Sequence, residues 1–339
     1  MKQATPELVL STGPFLRTRS TTSKIMLEVL ICALIVLAFA VWNFGIGALL
    51  SVVAATAGAV VTEWYFTRHQ PVKTLKDNTA ALTGVLLGLT LPPTMPLWMA
   101  LLGGAVGIGL GKLIWGGLGQ NSFNPALVGR AFLQAAFPTA ITTWAPPVDN
   151  IFTVYKSQLA LPLMSGQLDG LSAATPLGLM KFEATRTATE TLFVGDVAGS
   201  LGETSALVLV LVGVWMAWRR IFDWRLAVST LLGVAVLSGV IWLIDSSYPS
   251  PDFMLLSGGL MFAAVFMVTD PVSTPTTPGG AWIFGFGVAV FVVLIRIWGG
   301  LPEGVMYAVL LMNALTPHIN HYTQPRVFGQ AKARKEAAK

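Results

Sequence analysis

The chain has 339 residues, of which 54% are hydrophobic and only 11% charged, against roughly a quarter charged in an ordinary soluble domain. This composition excludes a soluble enzyme, a disordered tail and a nucleic-acid-binding domain. A single cysteine, Cys32, excludes a disulfide framework and an iron–sulfur cluster ligated by this chain alone. The formal charge is +5, and in a chain this apolar the basic residues are expected at the cytoplasmic flanks of membrane helices.

A spanning helix takes about 20 apolar residues. Ten candidates follow in order: 25–42, 45–66, 78–91, 96–115, 123–137, 205–218, 226–244, 253–269, 281–298 and 303–317. Those at 78–91, 123–137 and 205–218 are short for a crossing and read as half-helices or as spans with polar-looking ends. The first span has no A-x-A-like cleavage site and reads as a retained membrane helix, not a signal peptide. Sixteen of the 21 basic residues fall in connections that ten crossings place on one side. They are Lys2, Arg17, Arg19, Lys24, Arg68, Lys73, Lys76, Lys112, Arg219, Arg220, Arg225 and the five of the C-terminal tail. By the positive-inside rule that side is the cytoplasm, with both termini on it. The expected organisation is a cytoplasmic segment 1–24, a first membrane half 25–137, an extracytoplasmic loop 138–203, a second half 204–317 and a basic tail 318–339. The loop carries three basic and six acidic residues, and a connection of this length is usually functional.

Two stretches resemble each other: LPPTMP…LIWGG from Leu91 to Gly117, and DPVSTPTTP…IRIWGG from Asp270 to Gly300. Each is a proline-rich break, an apolar helix, Trp-Gly-Gly and a further apolar helix. If they mark an internal repeat, each half holds five spans and the halves are inverted, as in many transporters. Helix ends freed at the breaks cannot face lipid. They are therefore expected to meet in the bundle interior and hold an ion, with Asp270 as the candidate and Thr94 and Thr274 as its polar neighbours.

The loop holds the sharpest motif, Asp169-Gly170-Leu171-Ser172-Ala173-Ala174-Thr175. It fits D-x-x-[ST]-[GA]-A-T, the acceptor signature through which a flavin transferase links FMN by its phosphate to the threonine hydroxyl. Average composition gives it by chance in roughly one chain in a thousand of this length. The bland alternative is a small-residue turn before Pro176, with Ser172 and Thr175 bonding their own backbone. An unassisted hydroxyl is a poor nucleophile, so Thr175 needs the external transferase.

DGLSAATPLG at 169–178, with GETSAL at 202–207, FNPALVGRAF at 123–132 and MVTDPVSTP at 267–275, resembles the D subunit of the Rnf-type ion-translocating electron-transport complexes. It is more distantly similar to the B subunit of the sodium-pumping NADH:quinone reductase. The resemblance spans about residues 20–325, and the short stretch before the first span favours the Rnf-type protein. It implies an all-α polytopic protein of the bacterial inner membrane, with a urea-channel-like fold of two inverted five-helix repeats. It also implies covalent FMN on Thr175 with Asp169, Ser172 and Ala174 as acceptor motif, a second, non-covalent flavin (riboflavin), and partner subunits that carry the NADH or ferredoxin chemistry. Electron flow is then coupled to Na⁺ or H⁺. Ala173 stands where glycine is common, and both are small. The rival reading is a non-redox solute channel or transporter, which has no use for this loop; a passive scaffold would bind no flavin.

Other residues carry weaker signals. Gly202-Glu203-Thr204-Ser205 reads as a helix start or as a flavin-facing helix end. Arg130 lies mid-span, where a charge is costly unless paired or facing water. Asp270 reads as a cap or as part of a cation path. Arg296 is expected to snorkel, and Glu28 and Glu63 to be interfacial. His69, His318 and His321 fall at cytoplasmic flanks, which disfavours a membrane haem. Gly107-Ile108-Gly109 reads as helix packing, and Trp42, Trp64, Trp98, Trp115, Trp242 and Trp298 as an aromatic belt.

Overall fold

The computed structural model describes residues 21–68, 74–148, 150–162, 173–203 and 205–325. Thr21 opens the first helix, its hydroxyl accepting from the Lys24 N–H, and α1 then runs Thr22–Phe44. Gly45, at φ +77°, turns the chain directly into α2 (Ile46–Thr67). A Cβ there would also press on the carbonyls of Thr153 and Ile151, so the turn is closed down by the loop as well as by its own dihedral. Next come α3 (Thr79–Leu89) and α4 (Leu97–Ile108), which continues as a π-helical turn over Gly109–Leu113. Asn124 opens α5 (Pro125–Ala136) by accepting from the Ala126 and Leu127 N–H groups, with proline at N1 where no donor is lost.

The described residues of the loop form three short α-helices, α6 (Pro138–Ile141), α7 (Pro176–Glu183) and α8 (Thr189–Val194). The remaining helices are α9 (Ala206–Trp218), α10 (Trp224–Ile244), α11 (Pro251–Leu256), α12 (Leu260–Phe266), α13 (Pro278–Trp298) and α14 (Val305–Thr323). Among the described residues four helices, α1, α2, α10 and α13, are long and apolar enough to cross a membrane; α3, the α4 segment and α9 are shorter apolar helices. The chain is a helical, multi-pass membrane protein.

The expected span 253–269 is not one helix. It breaks at Ser257-Gly258-Gly259 into α11 and α12, with Gly258 at φ +66°. Every residue of α12 is buried, so this short helix lies wholly inside the bundle. Its broken backbone is therefore surrounded by protein, the condition under which irregular chain is tolerated at membrane depth.

Small residues set how close the helices come. α2 packs against α3 and α4, and α10 against α13. Added Cβ atoms at Gly58 and Gly104 would overlap the carbonyls of Leu101 and Ala55, and at Gly285 the Ser229 side chain. The backbones touch there, the geometry that drives association when lipid is as apolar as the side chains. Gly107 has the packing role expected for it, facing Pro125 and Gly129.

Connections at one end of the bundle bond to one another. Ile46 N–H donates to Ile151 O, the Thr94 hydroxyl to Thr143 O, Leu201 N–H to Leu91 O, and Arg186 to Ser246 O and Tyr248 O. At the other end the Ser23 hydroxyl donates to Lys76 O and Arg219 pairs with Glu28 at 2.9 Å. Gln158 ties the loop to the bundle: its buried amide donates to Gly47 O and Pro93 O, and its Oε1 accepts from Tyr155 N–H.

Three expectations for charged residues are corrected. Glu63 is fully buried and not interfacial; it holds Lys112 at 2.8 and 2.9 Å. Lys112 is itself buried, so it is not one of the solvated cytoplasmic charges. Arg296 does not snorkel; it is 5% exposed and turns inward, donating to Met254 O at 2.6 Å and Ser257 O at 3.0 Å. The reason is the break after α11, which leaves these carbonyls without helical partners.

Candidate functional site

Thr175 is the N-cap of α7. Its backbone is extended (φ −70°, ψ 155°), and its hydroxyl accepts from Gly178 N–H at 3.1 Å. Just upstream, Ala173 N–H donates to Trp144 O at 3.0 Å, pinning the end of the acceptor motif against the chain that follows α6. Downstream, Lys181 on the same short helix donates to the carbonyls of Ile295, Arg296, Gly299 and Leu301 at the end of α13. Burial pushes the Lys181 ammonium below its usual range; the four carbonyls favour the charged form and hold it in place. Thr175 is therefore fixed on one side to the loop at Trp144 and on the other to the end of α13. Asp169, Ser172 and Thr204 lie outside the described residues.

A cavity of about 590 Å³ opens beside Thr175. Ala174, Thr175, Trp144, Phe182, Arg130 and Glu203 line it, together with Glu303 and Tyr307. Three stretches read separately in the sequence, the acceptor motif, the GETS turn and the mid-span arginine, thus face one space. Arg130 has its partner there: Nη2 donates to Glu303 Oε2 at 3.1 Å. Glu303 Oε1 accepts from Gly259 N–H in the break between α11 and α12. Glu203 is the last residue of a 3₁₀ turn that leads to α9, and Ser205 caps α9 by accepting from Val208 N–H. Burial first and the Glu303 carboxylate second push the Glu203 carboxyl above the usual range, against the pull of Arg130 and Ser200. Gly202 packs on Phe262 and the Leu89 carbonyl and does not line the cavity.

The cavity fits a flavin. Its volume lies within the roughly 300–1,000 Å³ of ligand sites. Trp144, Phe182 and Tyr307 line it with aromatic rings, and in the first turn of α7, where Pro176 has no N–H and the Gly178 and Leu179 N–H groups bond to Thr175, the Leu177 N–H is left for an anionic phosphate. A threonine hydroxyl at that helix end meets the requirement for phosphodiester attachment.

Asp270 is elsewhere. Its Oδ1 accepts from Val272 N–H at 3.1 Å and its Oδ2 from the Ser273 hydroxyl at 3.0 Å, a cap of its own turn. It lines a second, smaller cavity with Thr79, Lys112, Asn121 and Asn124. Thr274 is its neighbour as expected, its hydroxyl donating to Asp270 O at 2.6 Å, but Thr94 is not. Thr79 opens α3 whereas the Leu91–Pro96 break follows the other end of that helix, roughly 16 Å away at 1.5 Å per residue. The expected junction of the two proline breaks is corrected: each is tied down at its own end of the bundle, the first to Thr143, Ser157 and Gln158, the second to Thr316.

Sequence reasoning missed Glu303, Trp144, Lys181 and the role of Arg296. Glu303 left one signal: it is the only charged residue in the Gly299–Gly304 connection between two apolar helices.

Bundle, buried ion pairs and a cofactor-sized cavity at one end define a membrane protein built around an internal site. The sequence matches the NQR2, RnfD, RnfE family over residues 9–329, and the chain belongs to this family. It is 38% identical to the D subunit of the ion-translocating oxidoreductase complex of Yersinia enterocolitica, over 96% of this chain and 99% of that protein. It is 36% identical to the protein of the same name from Escherichia coli O127:H6, over 95% and 99%. It is 37% identical to the D subunit of the proton-translocating ferredoxin:NAD(+) oxidoreductase complex of Clostridium ljungdahlii, over 94% and 96%.

Proposed function

We propose that the chain is the membrane-embedded D subunit of an Rnf-type ion-translocating oxidoreductase complex, carrying FMN on Thr175 as a phosphodiester. The observation that carries the flavin assignment is the placement of the Thr175 hydroxyl at a helix N-terminus inside a cavity of about 590 Å³. The cofactor supplies the electron-carrying ring. The chain's part is to hold the phosphate at the start of α7, to fix that helix through Lys181, and to give the ring an aromatic and partly charged lining. A flavin transferase is needed for maturation, because no base in the cavity touches the Thr175 hydroxyl among the described contacts. A second, non-covalent riboflavin belongs to the same reading without an assigned residue. A solute channel is disfavoured, since relatives matching nearly the whole chain are named as parts of oxidoreductase complexes. The chain co-expressed with a flavin transferase should fluoresce under ultraviolet light after denaturing electrophoresis, and the chain made without the transferase should not. A dark band in both overturns the assignment.

Ten crossings in two inverted five-helix halves, urea-channel-like, complete the reading. The matched pairs α2–α4 and α10–α13 support it, being the second and fourth helices of each half, as does the way the described connections bond to one another within each end of the bundle. Both termini are then cytoplasmic, in a bacterial inner membrane, and the loop 138–203 is extracytoplasmic. Asp270 on the cytoplasmic cavity and Arg130 on the flavin cavity are the candidate residues of the ion path. Phe152 in the loop is 77% exposed. A Phe152→Cys variant should react with a membrane-impermeant maleimide in spheroplasts; reaction only after lysis overturns the orientation.

A further inference from the structure

We propose that Glu203 and Glu303 form a proton-binding carboxylate pair at the inner end of the Thr175 cavity, with Glu203 the member that takes up and releases the proton. Both carboxylates flank one point of backbone. A Cβ added to Gly259 would lie 2.6 Å from Glu303 Oε1 and 2.8 Å from Glu203 Oε1. Only glycine at 259 lets the two side chains converge there.

The partners are unequal. Glu303 is satisfied on both oxygens, by Arg130 Nη2 and by Gly259 N–H. Glu203 Oε1 is sealed from solvent and has no hydrogen-bond partner among the described residues. Beside the pair, Arg296 is 5% exposed and spends both terminal nitrogens on the carbonyls of Met254 and Ser257, while its Nε is likewise sealed and unpartnered. An ionised Glu203 would leave a buried anionic oxygen unsatisfied next to a second carboxylate, a costly arrangement. A proton on Glu203 removes the like-charge contact and turns an orphan acceptor into a donor toward Glu303.

The other ionisable groups around the pair are Arg130 on α5, Arg296 on α13, and Glu183 and Tyr307 on the cavity wall; from the α11–α12 break the Gly258 and Gly259 backbone lies against it. Lys181 is engaged outside, at the end of α13. The proton-binding site stands on these contacts alone. Its use as a proton donor to the cavity rests on the flavin reading above. The step on this chain is a bare proton transfer: the Glu203 O–H bond breaks, its proton would pass to a reduced flavin where one is bound, and a proton from cavity water re-forms the O–H bond.

The test is infrared spectroscopy of the full chain in lipid nanodiscs, made without a flavin transferase and titrated from acidic to alkaline pH. A protonated-carboxyl C=O band, shifted in D₂O, should persist at pH well above the ordinary glutamic acid value of about 4.3. It should vanish in Glu203→Gln and move to lower pH in Glu303→Gln, where the like charge is gone. Absence of such a band, or its survival in Glu203→Gln, overturns the proposal. Should Glu203→Gln fail to fold, the wild-type band and the Glu303→Gln shift still decide it, and an unmoved band in Glu303→Gln overturns it. The two readings fail separately: a chain that takes up flavin but shows no band sinks the proton site alone, and a chain with the band that takes up no flavin sinks the flavin assignment alone.

Discussion

Thr175→Val should abolish covalent flavin. Valine keeps the β-branched shape but has no oxygen to bond to phosphorus. Co-expressed with a flavin transferase, the wild-type chain should gain the mass of one FMN unit and the variant none. The fold should survive. The hydroxyl also caps α7, and losing an N-cap costs about 1 kcal/mol, while Lys181 and the Ala173–Trp144 bond still hold the segment in place. A monodisperse, helical variant that still gains the mass would show that attachment is at another residue. The other hydroxyl of the motif, Ser172, would be the next to replace.

Breaking the buried pair Glu63–Lys112 should have the largest effect on stability. Lys112 Nζ reaches both Glu63 oxygens, at 2.8 and 2.9 Å, and the Thr79 hydroxyl, with both charged side chains nearly free of solvent. Lys112→Met leaves a carboxylate buried without its counter-ion, which costs about 3–5 kcal/mol in comparable sites. Replacing both partners, Glu63→Met with Lys112→Met, removes the stranded charge and should recover most of the loss. Thermal unfolding in detergent micelles reads both. A single variant that melts with the wild type would show that the pair is not formed. The pair also joins α2, α3 and the π-helical turn after α4, so the single variant should loosen the floor of the cavity that Asp270 lines.

The extra residue of that π turn is what aims Lys112 at α2: Ile114 N–H bonds back to Gly109 O, five residues earlier. Nothing in GLGKL announces it, and Lys112 reads in sequence as one more flanking charge. Arg296 misleads for a related reason. Near the end of an apolar helix a long basic side chain usually reaches for water. Here the break at Ser257-Gly258-Gly259 supplies free carbonyls inside, and an internal partner wins. Ser257-Gly258-Gly259 was a local break signal, but the apolar residues on either side of it read together as one span.

What sequence by itself determined was whatever depends on composition, local chemistry or a short contiguous pattern. Apolar length and sparse charge mark a membrane protein because lipid tolerates little else. The acceptor motif singles out Thr175 as the proposed attachment point because the pattern is local, and GETS announces the start of α9 because capping acts over three or four residues. Tertiary structure alone decided which charges meet. Arg130 and Glu303 are separated by 173 positions, and Lys112 and Glu63 by 49. It also decided that the acceptor motif, the GETS turn and the mid-span arginine share one cavity, and that the proline breaks lie apart. Such pairings depend on how glycine-lined helices stack and on where a broken helix leaves its carbonyls, and neither is written in any window of neighbouring residues.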